Sequence, residues 1–154
     1  PVKAVQTMDT IIRKAEENLN KWGHWKGFHL KSYTDEVIAV THAAQELAKD
    51  LDVAAIVVFT QTGRTARLMS KTHPEVPIIG CTPNQRTFSK MSFFRGVVPL
   101  IFEQVYSIED MLSQVQIKLK KSKFIEPNHQ VVVVAGYPIG EINLPNLALL
   151  YTIN

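Results

Sequence analysis

Apolar residues recur at Val2, Val5, Met8, Ile11, Ile12, Ala15 and Leu19, the spacing that lays one stripe along a helix. Pro1 suits the first turn of such a helix, where its missing N–H costs nothing. Over residues 21–33 the period is lost, and the stretch KWGHWKGFHLK carries two glycines, so a linker is expected there. Thr34-Asp35-Glu36 reads as the start of a second helix, with Val37, Val40, Thr41, Ala44, Leu47 and Ala48 on one face. The chain thus divides into a lone helix over 1–20, a linker over 21–33 and a larger unit over 34–154.

From Ala54 onward the pattern changes. AAIVVFT, PIIGCT, GVVPLIF, QVVVVAG and the closing LALLYTI are short, nearly continuous apolar runs rich in β-branched residues. Strands covered on both faces read this way, because neither face has to be polar. Helical segments are predicted between them over about 64–72, 84–92 and 107–121. The last is the best signalled, with Ser107 as cap, Glu109 and Asp110 in its first turn and lysines at its end, where the helix dipole favours cations. Alternation of strand and helix predicts an α/β fold, a three-layer α/β/α sandwich around a mostly parallel sheet. No internal repeat or low-complexity segment interrupts it.

Composition agrees with a single domain of ordinary size. The 154 residues are 45% hydrophobic and 20% charged, which is globular usage. A formal charge of +3 is too small to argue for nucleic acid, and aromatic residues do not alternate with basic ones as they do where unpaired bases stack. No run approaches the roughly 20 apolar residues of a spanning helix, so no membrane role is expected. The single cysteine, Cys81, cannot close an internal disulfide, which makes the cytoplasm the default setting. The chain starts PVKAVQ, without methionine, and a piece of something longer is one reading of that start.

One stretch carries candidate chemistry. In VFTQTGRT, residues 58–65, a strand pattern breaks into hydroxyls, a glycine and an arginine, and a helix pattern restarts at once. A tight turn accounts for this. So does a phosphate cradle: helix N-terminal amides favour an anion, Thr60, Thr62 and Thr65 supply hydroxyl donors, Gly63 would allow close backbone approach, and Arg64 offers a planar fork to phosphate oxygens. The stretch lacks the lysine of a Walker loop and the spacing of GxGxxG. From these residues alone both readings stay open.

The segment AAIVVFTQTGRTARLMSKTHPEVPIIGCTPNQRTFSKMSFFRGVVPLIF resembles the C-terminal domain of pyruvate kinases, with its TxTGRT turn, its N-x-x-T helix and its RGVxP strand in that order. The tail VVVVAGYPIGEINLPNLALLYTI resembles the end of many bacterial members, and PVKAVQTMDTIIRKAEENL the last helix of their catalytic barrel. The resemblance implies a five-stranded sheet whose last strand is antiparallel. It implies no catalysis by this chain, because phosphoryl transfer from phosphoenolpyruvate to ADP, with magnesium and potassium, belongs to a barrel that this chain lacks. It further implies a share in a homotetramer interface and a site for an allosteric phosphorylated effector. By that resemblance Thr60, Gln61, Thr62, Gly63, Arg64 and Thr65 hold the effector phosphate. The loop Gly136, Tyr137, Pro138, Ile139, Gly140, Glu141, Ile142 and Asn143 closes over the effector.

Departures from the family pattern narrow the ligand. The tryptophan and arginine of a second phosphate clamp are missing from 107–121, the closing loop GYPIGEIN has no arginine, and its Glu141 would repel a second phosphate. A sugar monophosphate or a nucleotide monophosphate such as AMP is expected rather than fructose 1,6-bisphosphate. A vestigial site in an assembly module, and a free-standing α/β protein that binds a phosphorylated metabolite, are the competing readings. The five histidines are scattered and suggest no metal site, Cys81 reads as a buried small side chain, and Arg95 as structural. The apolar stripe of the first helix, together with Trp22 and Trp25, predicts self-association.

Overall fold

The computed structural model describes residues 1–17, 36–122 and 125–154. The expected linker lies outside these residues, as do Trp22, His24, Trp25, His29, Thr34 and Asp35. The elements are α1 (Val2–Glu16), α2 (Glu36–Asp50), β1 (Ala55–Phe59), α3 (Arg64–Lys71), β2 (Ile78–Thr82), α4 (Gln85–Met91), β3 (Val97–Ile101), α5 (Ile108–Ser122), β4 (Gln130–Ala135) and β5 (Leu147–Thr152). Each strand falls within the apolar run that predicted it.

The strands form one five-stranded sheet in the order β3-β2-β1-β4-β5. The first four are parallel, with Ile56 opposite Ile78 on one side and Val132 on the other, and β5 returns antiparallel beside β4. Side chains alternate between faces. Ile56, Val58, Ile78, Val132 and Val134 pack with Ala44 and Ala48 of α2, Ala66 and Met69 of α3 and Met91 of α4. Ala55, Val57, Ile79, Cys81, Val131 and Val133 face the other way, onto Met111, Val115 and Leu119 of α5. Burying each valine or isoleucine contributes about 1.5–3 kcal/mol. Helices on both faces are the reason the strand sequences do not alternate.

Local side chains set the helix starts. Asn84 caps α4 by accepting from the Arg86 and Thr87 amides at 2.9 and 3.1 Å, and Ser107 Oγ accepts from the Asp110 amide at 3.1 Å at the head of α5. α1 differs from the rest. It buries no residue, and Val2, Val5, Met8, Ile11 and Ile12 stand 52–70% exposed. Its last turn reaches the sheet unit where Glu16 pairs with Arg95 at 3.4 Å.

Candidate functional site

The strand order places a crevice before any side chain is considered. β1 leads through α3 to β2 on one side, while its other neighbour, β4, arrives by way of α5 from the opposite face. The order reverses between β1 and β4, and ligands of open α/β sheets sit beyond the carboxyl ends of the strands at such a point. A cavity of about 260 Å³ opens there.

Both predicted segments contribute to it. From the turn after β1 come Thr60, Gln61, Thr62, Arg64 and Thr65; from the loop after β4 come Gly136, Ile139, Gly140, Glu141, Ile142 and Asn143. Tyr137 and Pro138, in the same loop, do not line it, and neither does Gly63. Gly63 has φ +81°, the left-handed region, and a side chain there would face Thr87, Met91 and Phe94 of the α4 region rather than the cavity. Its place is that of a turn residue starting α3. Phe59 and Phe102 meet edge to face at 5.2 Å and belong to the apolar lining.

The turn is held from several directions. Thr60 N–H donates to the Cys81 carbonyl at 3.0 Å, continuing the β1–β2 pairing one residue past the strand. Thr60 Oγ1 accepts from the Gly63 amide at 3.0 Å, and Thr62 Oγ1 from the Arg64 amide at a longer 3.4 Å. Neither hydroxyl reaches the amides of Thr65 and Ala66, the next two at the helix start, where the dipole is positive. Thr87 Oγ1 donates to the Gln61 carbonyl at 2.8 Å, and Gln61 Nε2 donates to Gln104 Oε1 at 3.2 Å. Arg64 is exposed and has an interaction within the chain.

The loop is latched in a similar way. Asn146 grips Tyr137 from both sides, its Oδ1 accepting from the Tyr137 amide at 2.7 Å and its Nδ2 donating to the Tyr137 carbonyl at 2.8 Å. Asn143 Nδ2 donates to the Pro138 carbonyl at 3.4 Å and to Glu141 Oε2 at 3.3 Å. A third wall, Glu103, Gln104 and Val105, was not foreseen from the sequence. Its signal was positional: the residues follow the carboxyl end of β3, the same rim that carries the other two walls.

The remaining candidates fall elsewhere. Cys81 is fully buried, and burial pushes its thiol well above the ordinary value, with Lys118 acting in the opposite sense; it is an inert packing group. Lys118, one of the lysines toward the end of α5, does more than complement the helix dipole, since its Nζ donates to the Ile101 carbonyl at 2.6 Å and lies 5.0 Å from the centre of the Phe102 ring. Arg95 precedes β3 and so lies at the amino end of the sheet, where its guanidinium contacts His73 Nδ1 at 2.5 Å and Glu16 at 3.4 Å. Among the described residues no His, Cys, Asp and Glu side chains cluster as a metal site, and no helix is long and apolar enough to cross a membrane.

The sequence profile of the family described as pyruvate kinase, alpha/beta domain, matches residues 38–149. The pyruvate kinase of Clostridium acetobutylicum is 33% identical over 150 residues, which are 96% of this chain and 31% of that protein. That of Bacillus licheniformis is 33% identical over 159 aligned positions, 99% of this chain and 26% of the relative. A solved pyruvate kinase from Cryptosporidium parvum superposes with a TM-score of 0.70 at 26% identity, over 79% of this chain and 23% of that one. The chain therefore belongs to the pyruvate kinase family, as its C-terminal α/β domain. It spans less than a third of the length of these relatives.

Proposed function

We propose that this chain is the regulatory and assembly part of a cytoplasmic, glycolytic pyruvate kinase, inactive by itself, and that its cavity takes an effector bearing one phosphate. In this reading phosphoryl transfer from phosphoenolpyruvate to ADP, with its magnesium and potassium, takes place on a catalytic barrel outside this chain. The observation that carries the reading is that the 60–65 turn and the 136–143 loop, far apart in sequence, line one cavity at the point where the strand order reverses. The phosphate sits against the start of α3, held by threonine hydroxyls, the amides of Thr65 and Ala66, and the Arg64 guanidinium. Effector binding biases how subunits pack in a homotetramer, which requires different affinities for two assembly states.

A second reading, an assembly module with a vestigial site, is favoured by one finding: the amides of Thr60, Gly63 and Arg64 already have acceptors. A thermal-shift panel of AMP, glucose 6-phosphate, ribose 5-phosphate and fructose 1,6-bisphosphate separates the two. A ligand at 100-fold its Kd raises the midpoint of a domain this size by roughly 5–10 °C. A monophosphate is expected to give such a shift and Arg64→Ala to remove most of it. No shift with any compound leaves the assembly reading, and a shift that survives Arg64→Ala puts the ligand elsewhere.

A further inference from the structure

The charges around the cavity point to more than a phosphate. Among the described residues that line it there is one cation, Arg64 at the start of α3, against two carboxylates, Glu103 after β3 and Glu141 in the loop after β4. The carboxylates come from separate segments that the fold packs together. A side chain added at Gly140 would come within 3.0 Å of Tyr106 Cδ1 and 3.3 Å of the Val105 carbonyl, so the loop lies directly on the chain that follows Glu103. Glu141 is oriented by the 3.3 Å bond it accepts from Asn143 Nδ2, and Gln61 and Gln104 are bonded to each other at 3.2 Å. The described lining is therefore dipolar, with a cation on one wall and carboxylates on two others.

Such a lining matches a ligand with one anionic end and one cationic end. Size narrows the choice: about 260 Å³ falls just below the roughly 300–1,000 Å³ typical of small-molecule sites, which suits one sugar ring and one phosphate better than a nucleotide. A hydroxyl can donate to a carboxylate, and an ammonium adds to such a bond the attraction of a full opposite charge. We propose that the cavity selects an amino-sugar monophosphate, its phosphate at the 60–65 turn and its ammonium toward Glu103 and Glu141. This rests on the effector reading above and adds the second half of the ligand.

The test compares glucosamine 6-phosphate with glucose 6-phosphate, which share a sugar ring and phosphate and differ in one ammonium, by titration calorimetry on the whole chain near pH 6.5, where the amine is protonated. The amino sugar is expected to bind up to about fivefold tighter, with fructose 1,6-bisphosphate the weakest of the three. Glu103→Gln combined with Glu141→Gln should abolish the preference, weakening the amino sugar more than glucose 6-phosphate; Arg64→Ala should weaken both monophosphates alike. Equal binding of the two sugars to the parent, or a preference that persists when both Glu103 and Glu141 are glutamine, overturns the ammonium subsite and leaves the phosphate reading standing. Binding of neither overturns both.

Discussion

α1 and α2 are each 15 residues long and each carries an apolar stripe in its sequence. The structure gives them opposite fates. α2 buries Val37, Ile38, Thr41, Ala44 and Ala48 against the sheet, while α1 buries nothing and meets the rest of the molecule at an exposed ion pair. Periodicity specifies which face of a helix wants cover; it does not say what supplies the cover. For α2 the cover is the even-numbered face of β1 and β4, made by residues of this chain. For α1 no described residue of this chain buries the stripe, and only Ile12 and Ala15 near its end share a shallow pocket with Phe93 and Phe94.

Substitutions sharpen that contrast. The largest effect is expected from Ala44→Asp, which forces a carboxylate into a site with no exposed surface against the sheet. It should cost more than about 3 kcal/mol and be visible as loss of cooperative unfolding in urea; a loss below about 1 kcal/mol would mean that α2 is not fixed on the sheet. A smaller effect belongs to the junction between α1 and the sheet unit. The Arg95 guanidinium can only donate, so His73 Nδ1 accepts and its proton sits on Nε2. Burial, and secondarily the Arg95 charge, hold His73 below its ordinary 6.5. The unfolded chain then takes up the proton more readily, so this contribution is full above pH 6.5 and declines as pH falls through that value. Thermal midpoints between about pH 5 and pH 8 should show the decline, and His73→Gln should flatten it by a modest amount, since the group is largely solvated. An unchanged slope in that variant assigns the pH dependence to another residue.

The smallest effect on stability is expected where the stripe is largest. Val5→Lys combined with Ile12→Lys, both at positions more than half exposed, should leave the unfolding free energy within about 0.5 kcal/mol. The same pair should reduce any self-association seen by sedimentation velocity. A stability loss of about 2 kcal/mol or more would show that α1 is packed on its own domain in solution.

Legibility in the sequence followed the physics of each element. The strands were readable because both faces of the sheet are covered, so apolar runs such as VVVV at 131–134 had no other plausible fate. The cap Ser107 acts through an amide three residues away, and such local chemistry is visible in a string. The cavity was half visible. Thr60 to Thr65 and Gly136 to Asn143 are each continuous, and a family resemblance joined them. Glu103 and Gln104 carry no motif and line the cavity only because three strands end on one rim. Arg95 was readable as structural, but its partners Glu16 and His73 are long-range and depend on where α3 and α1 end. Gly63 shows the same limit, since the sequence marks a left-handed position without telling whether ligand or helix lies beyond it.

The antiparallel return of β5 has one more consequence. The segment that walls the cavity is the tip of a hairpin whose two arms run hydrogen-bonded from Ala135–Leu147 to Gln130–Thr152, with Asn146 clasping Tyr137 just above the last rung. Residues between that clasp and its far side can be lengthened, shortened or recharged while the ladder beneath stays in register. This wall of the cavity is thus an interchangeable part, open to drift or to engineering without renegotiating the core.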